Sequence, residues 1–149
     1  MTRRVFFSFH YERDIFRANV VRNSWVTKPD RKSSGFFDAS LWEEAKKKGE
    51  AAIKKMIDDA LQYTSVTAVL SGYETAERKY VKYEIDRSIE RGNGLLGVRI
   101  EKIPSVDGTT DSAGSNPLPN GYAVHLWNKD NGYKNFASWV EDAAIAAGR

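Results

Sequence analysis

Cysteine is absent from this chain of 149 residues, which excludes a disulfide framework, a thiolate metal site and a cysteine nucleophile. Only two histidines occur, His10 and His125, so a multi-histidine metal site is not expected. No apolar run approaches the roughly 18 residues of a membrane span. The opening run, residues 5–10, is too short and too polar at its end for a secretory signal. These absences predict a cytoplasmic protein without a metal or a membrane partner.

An excess of charge of one sign is also missing. The sequence has 23 Lys and Arg against 20 Asp and Glu, a net charge of +3. The one basic run, residues 46–48, follows Glu43 and Glu44 at the spacing of helical i,i+4 ion pairs. This pattern is typical of a solvated helix face, and we expect no nucleic-acid partner.

What the chain does contain is the material for one packed core. Hydrophobic residues make up 41% and aromatic residues 12%, far above the content of disordered chains. The length suits one domain, so we predict a single domain over residues 1–149.

Apolar runs alternate with helical periodicity along most of the chain. This alternation predicts an α/β domain with a mostly parallel sheet of about five strands, whose carboxyl ends form the ligand-binding edge. The predicted strands are residues 4–9, a very short strand at 35–38, 65–70, 95–100 and 122–127. The predicted helices are residues 14–25, 40–62, 75–91 and 135–147. The segment 104–121 is rich in Pro, Gly and Ser, and is either a lid or a tolerated insertion.

The sequence lacks the motifs of several common classes of α/β protein. The turn after the first strand, residues 8–14, has no glycine, which argues against dinucleotide-fold and flavodoxin phosphate loops. A Walker loop and a Gly-x-Ser-x-Gly elbow are missing. The third strand ends in Leu70-Ser71, so the acceptor aspartate of a phospho-receiver is missing too.

One carboxylate stands out on the helix predicted after the third strand. Glu84 follows Tyr80 by four residues and lies beside the sheet-facing stripe Val81, Ile85 and Ile89. A glutamate sheltered between Tyr80 and Tyr83 is not placed like a plain surface charge. The residues alone leave open a solvated glutamate paired with Arg87 or Lys82.

Three segments together resemble the TIR-like proteins of bacterial Thoeris antiphage systems. They are Arg4-Val-Phe-Phe-Ser-Phe-His-Tyr11, Phe37-Asp-Ala-Ser-Leu-Trp-Glu-Glu44 and Tyr80-Val-Lys-Tyr-Glu84. The resemblance covers roughly residues 3–100 and implies the three-layer, flavodoxin-like fold of TIR domains. In such proteins a catalytic glutamate follows an aromatic residue, often as Trp-x-x-x-Glu; here Tyr80 stands where Trp is common and Glu84 takes the catalytic position.

The resemblance implies a function as well. We expect an NAD⁺ glycohydrolase or ADP-ribosyl cyclase that uses NAD⁺ as substrate, needs no cofactor, and makes a cyclic ADP-ribose isomer that activates a partner effector. Activity should depend on self-association or on an infection trigger. Two alternatives remain: a non-catalytic adaptor acting by self-association, and a nucleotide sensor that binds without turnover.

Further residues are candidates for binding the substrate. Phe9 and Tyr11 leave the first strand at the predicted cleft and are candidates to stack on nicotinamide or adenine, and either Ser8 or His10 should point inward between them. Arg17 is a candidate for the pyrophosphate, Asp38 for ribose and Lys46 for phosphate, although Asp38 equally suits a helix amino terminus and Lys46 a solvated face. The predicted substrate-binding set is Ser8, Phe9, His10, Tyr11, Arg17, Asp38, Lys46, Tyr80 and Tyr83. We interpret His125 as structural, and Trp42, Trp127 and Trp139 as core or interface residues.

Overall fold

The computed structural model describes residues 3–26, 31–34 and 39–149. The strands are β1 (Arg3–Ser8), β2 (Arg31–Ser34), β3 (Val66–Ser71), β4 (Gly94–Arg99) and β5 (Val124–Leu126). The helices are α1 (Tyr11–Val26), α2 (Ala39–Lys48), α3 (Glu50–Leu61), α4 (Lys79–Glu90) and α5 (Gly132–Ala146), with a short 3-10 helix, Thr75–Glu77, before α4. All strand pairs are parallel, in the order β2-β1-β3-β4-β5. The predicted α/β class is confirmed.

The strands are apolar on both faces because helices cover both sides of the sheet. On β1, Val5 and Phe7 pack into the cluster that includes α1 and α5, whereas Phe6 packs into the cluster with α2 and α3. This alternation follows from the two-residue period of a strand. The result is three layers, with α1 and α5 on one face and α2, α3 and α4 on the other.

The strand order places a crevice between β1 and β3. From β1 the chain moves outward to β2, then returns to β3 on the other side of β1. The order of a parallel sheet reverses at this point, and the helices that follow the two strands diverge to opposite faces. The carboxyl ends of β1 and β3, at Ser8 and Ser71, therefore border the position where such sheets bind ligands.

The second strand differs from the prediction. We expected a very short strand at residues 35–38, which lie outside the described residues, and a polar loop before it. Instead Arg31–Ser34 pairs with β1. A polar sequence can form this strand because β2 lies at the sheet edge, and Arg31 stacks on Trp25 of α1 at 4.9 Å.

Two predicted helices are interrupted. The helix expected over residues 40–62 breaks at Gly49, whose φ of 103° and ψ of −176° are accessible essentially only to glycine. The helix expected from Thr75 begins as a 3-10 turn, and α4 starts only at Lys79. Ile89, expected to face the sheet, is exposed; Ser88 is buried instead and its Oγ lies 2.7 Å from Thr67 Oγ1.

The buried face of α1 also differs from the expected one. The i,i+4 spacing of apolar residues predicts two pairs on this helix, Phe16 with Val20 and Val21 with Trp25. Val21 and Trp25 are buried as predicted, whereas Phe16 and Val20 are exposed. Asp14 and Arg17 are buried in their place, joined by an ion pair of 3.0 Å between Asp14 Oδ1 and Arg17 Nη1. The partners that make this burial tolerable come from a distant part of the chain, which periodicity cannot reveal.

The long segment 104–121 is fixed to the domain. Arg17 Nε donates to the Ile103 carbonyl at 2.7 Å, and Arg17 Nη1 lies 3.0 Å from Asp111 Oδ2. Leu118 is buried in the cluster formed with β3, β4 and α4. Since these buried contacts would have to break for a lid to open, the structure favours the interpretation as a packed insertion. Within the described part of the chain, every helix is too short or too polar to cross a membrane.

We predict that Gly49→Ala lowers stability. A Cβ at Gly49 meets nothing within 4 Å, so the cost is purely that of the backbone conformation, on the order of 1–3 kcal/mol. Chemical denaturation measures this loss. An unchanged or higher free energy of unfolding, as for Gly→Ala inside a regular helix, would show that the break between α2 and α3 is not imposed by this residue.

Candidate active site

Glu84 lies in the second turn of α4 and points toward the sheet rather than into solvent. Its exposed fraction is 7%. It lines a small cavity of about 20 Å³ at the carboxyl end of β1. The other lining residues are Phe7, Phe9, Tyr11, Trp42, Arg78, Tyr80 and Val81.

Ser8 holds the Glu84 carboxyl group. Its Oγ donates to Glu84 Oε1 at 2.6 Å, and both side chains are buried. Ser8 is two residues after Phe6 on β1, so it shares the sheet face that α3 and α4 cover. Of the two polar residues that alternate with Phe9 and Tyr11, Ser8 is therefore the one that points inward.

Burial determines the charge of this carboxyl group. Desolvation raises the pKa of Glu84 from 4.5 to about 8, and the hydrogen bond from Ser8 opposes the rise only in part. At this buried position Glu84 is therefore mostly protonated at neutral pH. A titratable group perturbed in this way, in a cavity at the carboxyl edge of a parallel sheet, is typical of an active site.

Aromatic rings form a continuous wall around the cavity. Phe9 stacks with Tyr11 at a centroid distance of 6.1 Å, and Tyr11 stacks with Trp42 at 5.4 Å. Trp42 then meets Tyr80 edge to face at 6.2 Å. The structure thus brings the predicted residues Phe9, Tyr11 and Tyr80 together with Glu84.

The cavity adjoins a larger outer groove of about 390 Å³. Trp42, Arg78 and Tyr80 line both spaces, so they form the partition between them. Lys46 and Glu12 lie in this outer groove, with Lys46 Nζ 3.3 Å from Glu12 Oε1. The predicted Lys46 is therefore near the site, on its outer side.

Two further predicted residues, Tyr83 and His10, do not line the cavity. Tyr83 turns toward α3, where its hydroxyl donates to Asp58 Oδ1 at 2.9 Å. His10 is buried beside the cavity, and its Nδ1 accepts the Arg13 backbone N–H at 3.3 Å. Burial and the charge of Arg78 lower the pKa of His10.

The structure places Arg17 away from the cavity, because its guanidinium is buried between Asp14, Asp111 and the backbone of residues 103–109. Its expected contact with the pyrophosphate is therefore not supported by this geometry. Asp38 lies outside the described residues, and its role stays a prediction.

Two residues that line the cavity, Trp42 and Arg78, are not among the predicted substrate-binding residues. Trp42, predicted as a core or interface residue, is buried and lines the cavity. Arg78 was not considered, since it lies in the turn between the 3-10 helix and α4. The available signal for Arg78 was its position two residues before Tyr80 and six before Glu84.

A doubly wound parallel sheet with a buried glutamate four residues after an aromatic side chain defines this protein as a TIR-like domain. The sequence model described as Thoeris protein ThsB, TIR-like domain, matches residues 6–105, and the chain belongs to that family. The matched residues run from β1 to just beyond β4 and contain the cavity.

A curated relative supports the assignment. Over 141 residues, 94% of this chain and 72% of the relative, the two sequences are 45% identical. That relative is the protein of Bacillus cereus (strain MSX-D12) named "Putative cyclic ADP-D-ribose synthase ThsB1".

The buried carboxyl group predicts a pH-dependent stability. Because the pKa of Glu84 is about 8 in the folded protein and 4.5 as its ordinary value, its contribution to stability is complete below pH 4.5. It is lost as the pH rises through 8, since ionisation then favours unfolding. Between pH 5 and 8 this loss is on the order of 3 kcal/mol.

Glu84→Gln removes this titration, so the variant should gain stability relative to wild type as the pH rises from 5 to 8. Denaturation of both proteins across this range measures the difference. The buried amide changes the offset between the curves but not their pH dependence. Parallel curves would contradict the raised pKa of Glu84.

Proposed function

We propose that this protein consumes NAD⁺ in antiviral defence, cleaves the bond between nicotinamide and ribose, and produces a cyclic ADP-ribose isomer. The observation that carries the proposal is Glu84, buried in an aromatic cavity next to Ser8. The name of the relative from Bacillus cereus gives the class of product.

The chemistry suits a site with one carboxyl group. Nicotinamide in NAD⁺ is a cationic leaving group, so the carbon–nitrogen bond breaks with both electrons going to the ring, and no general acid is required. The ribose carbon becomes oxocarbenium-like, as in glycoside hydrolysis. A carboxylate at Glu84 stabilises this charge and holds the ribose hydroxyls. Metal or redox cofactors have no step to perform in this scheme.

The substrate itself supplies the condition for ionising Glu84. The pKa of about 8 belongs to the closed cavity without a cation beside the carboxyl group. A nicotinamide cation placed there favours the ionised form and lowers the pKa. Glu84 thus loses its proton to solvent as the substrate enters. The carboxylate is therefore present only while the substrate is bound.

The nucleophile decides the product. Attack by a hydroxyl group or by the adenine of the same molecule gives a cyclic product, whereas attack by water gives linear ADP-ribose. When a hydroxyl group or water attacks, it also releases one proton, which the Glu84 carboxylate can accept. Aromatic walls favour the cyclic product because they limit the access of water. In this scheme Ser8 positions the carboxylate, and Phe9, Tyr11 and Tyr80 stack on the bases.

The size of the cavity implies a gating step. A volume of about 20 Å³ holds roughly one water molecule, so the wall must move before ribose reaches Glu84. We propose that self-association or an infection trigger drives this opening, and that the diffusible product then activates a partner effector.

The test is nicotinamide release and product mass after incubation with NAD⁺, using purified protein and, for a triggered enzyme, extracts of phage-infected cells that express it. Glu84→Gln should lower NAD⁺ consumption by about a hundredfold or more, the scale of losing a transition-state charge stabiliser. The control is Glu90→Gln on the same helix, an exposed residue paired with Arg87, which should keep full activity. Equal turnover by the Glu84→Gln variant would remove Glu84 from the mechanism. Wild-type protein inactive in both settings would favour the adaptor.

A further inference from the structure

The outer groove continues the Glu84 cavity and is large enough for part of a ligand. Its volume of about 390 Å³ falls within the range of small-molecule sites, whereas the cavity has about 20 Å³. Among the residues that the structure describes, Trp42, Arg78 and Tyr80 line both spaces and lie between them. A molecule that is cleaved at Glu84 but is longer than its ribose can therefore extend past these three side chains.

We propose that this groove binds the adenosine diphosphate part of the substrate and that Arg78 binds its pyrophosphate. The inference rests on the proposed function, which puts the nicotinamide ribose at Glu84. The pyrophosphate follows that ribose directly in NAD⁺. It must then lie at the partition, where Arg78 is the cation that lines both spaces.

Arg78 is held loosely compared with its neighbours. Its Nη2 lies 4.0 Å from Glu12 Oε1, at the limit of an ion pair. Arg87, within α4 and exposed to a similar degree, lies 3.1 Å from Asp58 and 2.7 Å from Glu90. Because Arg78 lies so far from Glu12, its N–H groups can donate hydrogen bonds to a phosphate, and the planar guanidinium is well suited to that contact.

Glu12 acts as a stand-in anion in the empty groove. Its Oε1 atom is shared between Lys46 at 3.3 Å and Arg78 at 4.0 Å. The hydrogen bond from Lys46 and the charge of Arg78 both lower the pKa of Glu12, so it is ionised at neutral pH. An incoming pyrophosphate carries more charge than one carboxylate and would replace Glu12 between these cations. Anions that bind Lys46 and Arg78 more weakly than Glu12 does would therefore not displace it.

The aromatic part of the groove suits the adenine base. Trp42 and Tyr80 present their rings at its inner end, and Ile53 adds an apolar contact. Stacking on such rings is tolerant of geometry and is worth roughly 1–3 kcal/mol per base. The groove thus combines two cations with aromatic surface; its other carboxylate besides Glu12, Glu50, is paired with Lys54 and Lys79.

The test measures binding of ADP-ribose and of adenosine by calorimetry, which needs no bond cleavage and therefore succeeds or fails independently of the proposed reaction. Arg78→Gln should weaken ADP-ribose binding about tenfold, as expected for a lost charge-assisted contact. Adenosine binding should be unchanged, since it carries no phosphate. Arg87→Gln is the matched control and should bind ADP-ribose as wild type does.

A second variant gives a change in the opposite direction. Glu12→Gln removes the carboxylate shared by both cations and should tighten ADP-ribose binding about threefold or more, a gain that a misfolded protein cannot show. Wild-type protein that does not bind ADP-ribose, or Arg78→Gln with wild-type affinity, would overturn the inference. Equal losses of ADP-ribose and adenosine binding in a folded Arg78→Gln variant would also overturn it, since the pyrophosphate would then not be the group recognised.

Discussion

The burial of one carboxyl group is the constraint on which the rest of this structure depends. Glu84 lies on a helix that packs against the sheet, at a position where an apolar side chain would be more stable. The domain tolerates it because Ser8 Oγ donates to it at 2.6 Å and because the group is protonated while the cavity is closed. The same burial makes the charge of Glu84 responsive to a cationic ligand. The buried carboxyl group therefore lowers the stability of the fold but can be ionised by the substrate.

The fold explains how Ser8 and Glu84 come to lie next to each other. Ser8 ends β1, and α4 follows β3, the neighbouring strand in the sheet. The serine and the glutamate, 76 residues apart in sequence, are therefore adjacent at the position where the strand order reverses. The aromatic wall comes from the start of α1, from α2 and from α4, so the cavity depends on how three helices are seated on one sheet. The break at Gly49 separates α2, which carries Trp42, from α3.

Much of this was predictable from the sequence. The strands at both sides of the cavity are short apolar runs followed by helical periodicity, and parallel sheets bind ligands at their carboxyl edge. Glu84, Tyr80, Phe9, Tyr11 and Ser8 follow from these rules and from the family resemblance. Their roles in catalysis and binding remain predictions.

The rest depended on contacts that no local pattern encodes. Arg17 resembles a candidate for phosphate binding until Asp111, 94 residues later, is seen to hold it. The polar strand Arg31–Ser34 forms only because β1 offers it an edge. Trp42 has the spacing of an ordinary core residue, and Arg78 lies in an irregular turn, so neither stands out until the chain is folded.

The most direct test is an infrared titration of the Glu84 carboxyl group, isolated as the difference between wild type and Glu84→Gln. The account predicts a midpoint near pH 8 for the protein alone and a lower midpoint when NAD⁺ is bound. A midpoint near the ordinary value of 4.5 in the free protein would contradict the view that burial keeps this carboxyl group protonated until the substrate ionises it. An unchanged midpoint in protein shown to have NAD⁺ bound at this site would contradict it as well.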